Sequence, residues 1–235
     1  TRAAYGLDQV RTVPLTPSAT VTREALEAAP GTVNNIRLWD TRPLVQTYSQ
    51  RQDIRTYYQI SNVDIDRYII DGALRQVMLS AREINVDQMD PEKQTWLNRH
   101  LIYTHGYGVV MSPVNTFDLS SNEPVYLIKD IPPVSTAPEL RITRPEIYFG
   151  EVPNSYVVVK TRQREFDYPR SERENEETVY QGDAGIALRN PLVRLLFALR
   201  FGALDLLISN YITGESRILV KRQVLERAQA AAPFL

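Results

Sequence analysis

The sequence predicts an α+β fold, a mostly antiparallel sheet with helices segregated toward the C-terminus. Three observations lead to this class. The dipeptide Asp71-Gly72 separates two runs of strand-forming residues, which is typical of a hairpin. Three consecutive valines at 157–159 indicate a buried strand, and leucines at 192, 195, 196 and 199 recur at helical spacing.

Composition narrows the classes of function before any motif is considered. The 235 residues include 28 acidic and 27 basic side chains, for a net charge of −1. That balance argues against a general nucleic-acid binder, because such proteins carry a strongly basic surface. Cysteine is absent, which excludes disulfides, cysteine-based metal sites and thiol nucleophiles. At 43% hydrophobic residues the chain is too apolar for a disordered protein.

The N-terminal part is predicted to be an arm with one short helix. Thr22 can cap that helix, and Pro30-Gly31 is expected to end it. A second short helix is predicted through Tyr48, because Pro43 suits a first helical turn.

Residues 54–83 carry the strongest β signal. Asp71-Gly72 suits a two-residue type I′ turn, because both of its residues adopt positive φ angles readily. A two-residue turn also sets the register, so that residues 63–70 pair with 73–80 and Ile70 lies opposite Ala73. This hairpin is the most specific structural prediction that the sequence offers.

The middle of the chain alternates between one helix and several short strands. Asp90-Pro91 resembles a helix start, and the helix is expected to carry Trp96 and His100 and to end near residue 103. Strands are predicted at 109–111, 124–131, 140–149 and 155–161.

The last third is predicted to be a polar loop followed by helices. Residues 162–178 are rich in Arg and Glu, as expected of a solvated loop. Helices are expected from residue 189, near 204–211 and over 216–231. The organisation predicted is one domain, truncated at its C-terminus, with four segments: an arm over 1–35, an α+β sheet core over 36–161, a charged loop over 162–183 and a helical segment over 184–235.

Nucleotide and metal motifs are incomplete. Gly106-Tyr107-Gly108 begins like a dinucleotide fingerprint, but Met111 occupies the place of the third glycine. No Walker A sequence occurs. His100 and His105 are five residues apart, not the four that would place two ligands on one helical face. The sequence therefore predicts no nucleotide, no cofactor and no metal.

A calcium loop is also a poor fit to the acidic residues near the hairpin. Asp64 and Asp66 share one face of a strand, whereas Asp71 belongs to the turn. The simpler interpretation is a cross-strand ion pair between Asp66 and Arg75.

Catalysis by a histidine stays an open alternative. His105 lies in a predicted loop, where an imidazole could act as acid or base with a carboxylate such as Asp66 or Glu146. The other interpretation, which we favour, is that His105 donates to a backbone carbonyl and orders the loop. No G-x-S-x-G nucleophile elbow occurs in the sequence.

Membrane-spanning and export signals are not found among these residues. The most apolar stretch, 191–212, contains Arg194, Arg200 and Asp205, and a spanning helix needs about 20 nearly uninterrupted apolar residues. The first five residues do not form the apolar core of a signal peptide.

Seven ungapped segments, taken in order, resemble one family, the large bacterial membrane proteins grouped as uncharacterised protein family 0182. The resemblance extends over nearly the whole chain. The segments are NIRLWD (35–40), VDIDRY (63–68), WLNRH (96–100), YTHGYG (103–108), RPEIYFG (144–150), EFDYP (165–169) and APFL (232–235).

The resemblance implies a location more than an activity. Its members resemble proteins with several N-terminal transmembrane helices and a large extracytoplasmic region, of which this chain would be the first half. The expected location is the cell membrane, with this region outside the cytoplasm. The expected partner is the remainder of the same protein, with a homo-oligomer as an alternative and no nucleic acid. The resemblance brings no catalytic residues. The sequence therefore favours a non-enzymatic role in envelope assembly or transport, against an envelope hydrolase or transferase that uses His105.

Overall fold

The computed structural model describes residues 8, 10–11, 21–52, 57–121, 123–152, 155–171 and 174–234. Most of the predicted N-terminal arm and the expected strand start at 54–56 lie outside these residues. The described part confirms the α+β class, with antiparallel strand pairs and with three of its six α-helices after residue 190. Those helices are α1 (Arg23–Glu27), α2 (Pro30–Val33), α3 (Thr41–Gln52), α4 (Pro191–Phe201), α5 (Asp205–Ile208) and α6 (Val224–Ala231).

Sixteen strands are found in the described residues, and most of them are short. They are β1 (Tyr58–Gln59), β2 (Asp64–Ile70), β3 (Ala73–Ala81), β4 (Glu83–Ile84), β5 (Gly106–Tyr107), β6 (Val109–Pro113), β7 (Phe117–Asp118), β8 (Glu123–Pro124), β9 (Ile128–Lys129), β10 (Val134–Ser135), β11 (Glu146–Ile147), β12 (Val157–Val159), β13 (Glu165–Pro169), β14 (Asn175–Thr178), β15 (Ile186–Ala187) and β16 (Arg217–Leu219).

The largest sheet has the strand order β10-β9-β6-β3-β2, and all of its pairs are antiparallel. Adjacent residues of β3 point to opposite faces of this sheet, as a strand requires. Met78 packs with Leu44 and Tyr48 of α3 on one face. Val77 packs with Met111 and other buried side chains in a separate cluster on the opposite face. The sheet is therefore covered by apolar groups on both sides.

The β2–β3 hairpin has the register that the turn predicts. Ile70 pairs with Ala73, and the pairing continues residue by residue to Asp64 and Leu79. Asp71 and Gly72 have φ angles of 51° and 71°, as a type I′ turn needs. The expected ion pair between Asp66 and Arg75 is not formed: Asp66 lies opposite Val77, and Arg75 lies opposite Tyr68.

A second, smaller sheet has the order β12-β16-β15. The three valines of β12 are all buried, which confirms the prediction of a buried strand. Val158 contacts the apolar cluster under α4 and α5. Val157 and Val159 contact a different cluster on the opposite side, which contains Tyr148 and Tyr180.

The helix expected over 90–103 is not continuous. Pro91–Lys93 forms a single 3₁₀ turn, and Asn98–Ile102 forms a π-helical turn. Gln94, between them, has ψ 39° and interrupts the helical hydrogen bonds. The Thr95 hydroxyl then accepts a hydrogen bond from the Asn98 amide at 3.2 Å, which restarts the helical backbone.

Proline positions account for two further differences. Pro30 was expected to end the first helix, but α1 ends at Glu27 and Pro30 begins α2, since proline suits a first helical position. In the strand expected over 140–149, only Glu146–Ile147 is extended and paired. Pro138–Leu140 forms a 3₁₀ turn instead, and Pro145 has no amide to donate to a ladder.

The predictions for the last third need two corrections. The segment expected to be a charged loop contains a hairpin, β13 paired with β14, and the β13 residues Glu165, Phe166 and Asp167 are buried. The helix expected over 216–231 begins only at Val224. Its first residues instead form β16, because they complete the sheet between β12 and β15.

The helix predicted from residue 189 is confirmed as α4, and both of its ends have local causes. The Asn190 side chain accepts a hydrogen bond from the Leu192 amide at 2.9 Å, and Pro191 is the first helical residue. Gly202, with φ 63°, ends α4 in the left-handed conformation. Within the described residues no helix has the length and the apolar composition that crossing a bilayer requires.

Replacing Gly72 by Val is expected to destabilise the protein by about 1–2 kcal/mol, because a β-branched residue resists positive φ. Space does not limit the substitution, since a Cβ at Gly72 would have no neighbour within 4 Å. Gly31 is equally open, and its φ is not positive, so Gly31→Val is the matched control. Urea unfolding measures both variants. Equal midpoints for the two would contradict a role of the turn conformation.

Candidate functional site

The described residues contain a group of charged and polar side chains enclosed within the protein. We call it the buried ionic cluster and define it as Thr104, His105, Tyr148, Glu165, Asp167 and Arg222. Thr104 and His105 directly precede β5, Tyr148 follows β11, the two acids lie on β13 and Arg222 follows β16. Segments that are far apart in sequence therefore meet at this point.

His105 is the centre of the cluster. Its side chain has no exposed surface, and both ring nitrogens are within hydrogen-bonding distance of protein oxygens. Nε2 lies 3.0 Å from Oδ1 of Asp167, and Nδ1 lies 2.9 Å from the Thr104 hydroxyl. The Thr104 hydroxyl in turn donates to Oε2 of Glu165 at 2.8 Å. Since that hydroxyl has donated its proton to Glu165, it accepts from Nδ1. His105 thus donates from both nitrogens, as an imidazolium does.

The pKa shifts agree with this protonation state. Burial by itself lowers the pKa of His105, but the hydrogen bonds to Asp167 and Glu165 and their charges outweigh it, so its pKa is raised above 6.5. For Glu165, burial raises the pKa, and the hydrogen bonds from His105, Tyr148 and Thr104 outweigh it, so its pKa is lowered below 4.5. Both shifts favour the charged forms of an ion pair between His105 and Glu165.

Arg222 adds a second buried cation. Its guanidinium donates to the carbonyl oxygens of Tyr148, at 2.8 Å, and of Thr104 and Ser155. Burial lowers the pKa of Arg222 to about 10, so this group stays protonated at neutral pH. His105 and Arg222 together balance the carboxylates of Glu165 and Asp167.

The shape of β13 directs its two acids toward His105. Glu165 and Asp167 lie two residues apart on β13, and both carboxylates approach the ring of His105. The ladder with β14 shifts register between Phe166 and Tyr168, which leaves Asp167 in a β-bulge. Bulges re-aim side chains next to functional or structural sites. Here Asp167 contacts Nε2 of His105, whereas Glu165 is on the Nδ1 side.

A cleft lies on the outer side of the cluster, with a volume of about 370 Å³. Glu146, Tyr148, Thr178, Tyr180 and Gln181 are among the residues that line it. We call it the Tyr148 cleft. The Tyr148 hydroxyl donates to Glu165 at 2.6 Å, and the Tyr180 amide donates to the other carboxylate oxygen at 3.1 Å. Tyr148 also packs against the ring of His105, with centroids 4.7 Å apart. The two tyrosines therefore separate the cleft from His105.

The sequence-predicted site residues fall into two places. His105 is buried with Asp167 and Glu165, whereas Asp66 is exposed on β2 and Glu146 lines the Tyr148 cleft. The structure thus gives His105 carboxylate partners other than the two that the sequence suggested. It also replaces the expected backbone carbonyl partner by side chains. Among the described residues, no group of three or more His, Cys, Asp or Glu side chains is arranged to hold a metal ion.

Of the six members of the cluster, the sequence identifies His105 alone as a candidate, and it places three of the charged members in the wrong elements. Glu165 and Asp167 were assigned to a charged loop, and Arg222 to a helix. The alternation of acidic and aromatic residues in Glu165-Phe166-Asp167-Tyr168 is a strand signal that could have identified the first two. No local signal distinguishes Arg222 from the other arginines of the chain.

The buried carboxylate of Glu83 binds the backbone of the loop at 150–152, beside the cluster. Glu83 accepts hydrogen bonds from the amides of Glu151, at 2.8 Å, and Val152, at 3.0 Å. The preceding Gly150 leaves room for this carboxylate, since a Cβ there would lie 2.1 Å from Glu83 Oε2.

Gly150→Ala is therefore expected to cost about 1–3 kcal/mol of unfolding free energy, the usual cost of overpacking. Gly214→Ala is the control, because the nearest atom to a Cβ there lies at 3.9 Å, an ordinary contact. Thermal denaturation of both variants provides the comparison. If Gly150→Ala were as stable as the control, Glu83 would not hold this loop.

His105→Gln is expected to destabilise the protein by about 3 kcal/mol near pH 6, because it leaves buried carboxylates without their cation. The pKa of His105 is raised on folding, so its contribution is fully present below 6.5 and is lost as pH rises through the folded-state value. The difference between wild type and His105→Gln should therefore shrink as urea unfolding is repeated from about pH 6 toward about pH 10.

His100→Gln is the control for that experiment. Burial lowers the pKa of His100, and its Nδ1 lies 2.7 Å from the Tyr156 carbonyl oxygen. A lowered pKa has the opposite effect, so wild type should lose stability relative to His100→Gln as pH falls below 6.5. The same pH dependence for both variants would show that His105 is not an imidazolium in the native state.

Comparison with known proteins gives a family but no solved structure: none matches the chain. Relatives named UPF0182 protein are 45% identical in Pelotomaculum thermopropionicum and 46% identical in Trichodesmium erythraeum, each over 235 residues. A third, from Bradyrhizobium diazoefficiens, is 44% identical over 236 residues. These matches cover the whole chain but only about 25% of each relative's length. The family model matches residues 1–235, and the chain belongs to the uncharacterised protein family UPF0182.

Proposed function

We propose that this chain is a non-enzymatic, extracytoplasmic domain of a multi-pass bacterial membrane protein, with a part in envelope assembly or transport. The observation that carries the non-enzymatic assignment is the state of His105. Its ring is completely buried, and both nitrogens are engaged by Thr104 and Asp167. A general acid or base has to reach the proton of a substrate, and no side of this ring is open to one.

The chemistry of Tyr148 supports the same conclusion. Of the cluster, Tyr148 is the member that lines the cleft, and a proton would have to pass through its hydroxyl to reach Glu165. Burial, followed by the charge of Glu165, raises the pKa of Tyr148 well above its usual value of 10. Such a hydroxyl holds its proton and is a poor acid at neutral pH. The cluster is suited to joining strands rather than to transferring protons.

The location rests on family membership and on the resemblance described above. That resemblance implies membrane-spanning helices before this region. The chain spans about a quarter of the length of the curated relatives, so three quarters of each relative lies outside the matched region and can contain such helices. The partner proposed for this domain is the remainder of the same polypeptide.

Cysteine labelling of the full-length protein tests the location. The present chain has no cysteine, and Leu119 is 90% exposed in the turn between β7 and β8, so Leu119→Cys adds an accessible thiol. We expect a membrane-impermeant maleimide to label this variant in intact spheroplasts as fully as after detergent lysis. The full-length protein without the substitution is the blank. Labelling that requires lysis would place the domain in the cytoplasm and contradict the proposal.

An envelope hydrolase or transferase is the second candidate, and the Tyr148 cleft is the observation that favours it. Glu146 is the carboxylate there that could act on a bound substrate. Chromogenic ester, phosphate and glycoside substrates with the purified chain test this candidate. The non-enzymatic proposal expects no turnover above the buffer rate. Turnover that disappears in Glu146→Gln, with an unchanged melting temperature, would establish the enzyme instead.

A further inference from the structure

The outer face of α4 is apolar although it faces solvent. Leu192, Leu195, Leu196 and Leu199 follow the i, i+3, i+4, i+7 spacing of one helical stripe, and all four are exposed. Leu199 is 72% exposed. A surface helix of a water-soluble domain normally carries polar side chains on this side.

The inner face of α4 is apolar as well. Phe197, Ala198 and Phe201 pack against a core cluster that includes Leu101 and Val158. The outer leucines are therefore not needed for the core of this domain. Helices that are apolar on both sides are normally buried on both sides.

The following helix, α5, also exposes apolar side chains. Three of its residues are exposed: Leu204, which is the N-terminal cap, and Leu207 and Ile208 within the helix. Ile208 is 73% exposed. We call these three residues, together with the four leucines of α4, the α4–α5 apolar face. Monomeric soluble proteins rarely expose this many large apolar side chains on neighbouring helices without a binding function.

The two helices are held together as one surface. The Arg194 guanidinium donates to the Leu206 carbonyl oxygen, at 2.8 and 3.0 Å, and to that of Leu207 at 3.1 Å. These bonds satisfy carbonyl groups of α5 and join it to α4. Gly202, in the left-handed conformation, forms the turn between the helices. The arrangement of the two helices is therefore fixed by contacts within this chain and needs no partner.

Basic residues outnumber acidic ones in the segment 189–208, which carries this face and contains three arginines. Arg189 and Arg200 are exposed next to the leucines of α4, and neither forms an ion pair with an acidic side chain in the part of the chain that the structure describes. Asp205 is the one acidic residue from 191 to 208. Tyr211, which has an apolar ring and a polar hydroxyl, is exposed just after α5. An anionic surface complements this arrangement.

We propose that the α4–α5 apolar face docks on the surface of an anionic lipid bilayer. Leucine and isoleucine would enter the boundary between headgroups and acyl chains, with the arginines at the phosphates and Tyr211 at the interface. With 11 residues, α4 is about 16 Å long. The hydrocarbon core is about 30 Å thick, so the helix lies along the interface.

This inference goes beyond the proposed function and stands without it. Labelling of Leu119→Cys reports on the compartment of the domain, whereas lipid affinity of the purified chain is measured with no cell present. Either result can fail while the other holds.

Vesicle co-sedimentation tests the proposal with the 235-residue chain. We expect the chain to sediment with large vesicles of phosphatidylcholine and phosphatidylglycerol. Binding to phosphatidylcholine alone should be about tenfold weaker, because two arginines lose their counter-charge. Arg189→Gln combined with Arg200→Gln should reduce the preference for anionic vesicles, and high salt should do the same.

The apolar contribution is tested by Leu196→Ser combined with Leu199→Ser. This variant should bind anionic vesicles about tenfold more weakly or worse, since two buried leucine side chains are lost from the lipid contact. Leu119→Ser is the matched control, because Leu119 is an exposed leucine outside the face and should bind like the wild type. Circular dichroism melting checks that both variants fold as the wild type does.

Three outcomes would overturn the proposal. If the chain does not sediment with vesicles of either composition, the face does not bind lipid. If light scattering shows a dimer that Leu196→Ser with Leu199→Ser converts to monomers, while vesicle binding is absent, the face is an interface between two copies. Equal binding by the double-serine variant and the wild type would likewise assign lipid affinity to another surface.

Discussion

The ion pair between His105 and its two carboxylates is the interaction on which the centre of this domain depends. An imidazolium without solvent contact is stable only where acceptors surround it, and here Asp167 and the Thr104–Glu165 pair supply them. These groups come from different strands, so the ion pair forms only when β5 and β13 are in their native positions. Removing one member of such a pair typically costs about 3–5 kcal/mol, more than a replacement by matched apolar groups would. The cluster therefore favours one arrangement of strands over others.

The same interaction explains why the interior of the site is closed. Tyr148 donates to Glu165 and covers the ring of His105, while Arg222 binds the backbone of Tyr148 from the other side. Each of these residues thus has a hydrogen-bonding partner within the protein. The floor of the Tyr148 cleft is formed by side chains whose polar groups are already paired. An arrangement that satisfies all of its own hydrogen bonds resists opening toward a ligand, because a ligand would have to replace several of them at once.

The surface of the domain contrasts with this interior. Polar groups are enclosed at His105, whereas leucines of α4 and α5 are left in contact with solvent. The buried ionic cluster joins residues next to β5, β11 and β16 with residues of β13, whereas the hydrogen bonds of Arg194 join α4 to α5.

Local rules were sufficient for much of the fold. The sequence by itself determined the β2–β3 hairpin and its register, because a two-residue turn with Asp71-Gly72 permits a single pairing. It determined the burial of the three valines of β12 and the presence of a helix after residue 189, because these depend on neighbours in the chain.

The tertiary structure alone decided where the charged residues of the last third lie. Glu165 and Asp167 look like solvated residues to any rule based on composition, and the segment of Arg222 looks like part of a helix. Burial of these charges is favourable only in the presence of His105 and of the carbonyl groups that Arg222 binds, which lie more than 50 residues away in the chain. The balance between desolvation and pairing is a property of the assembled site, and no window of sequence contains both sides of it.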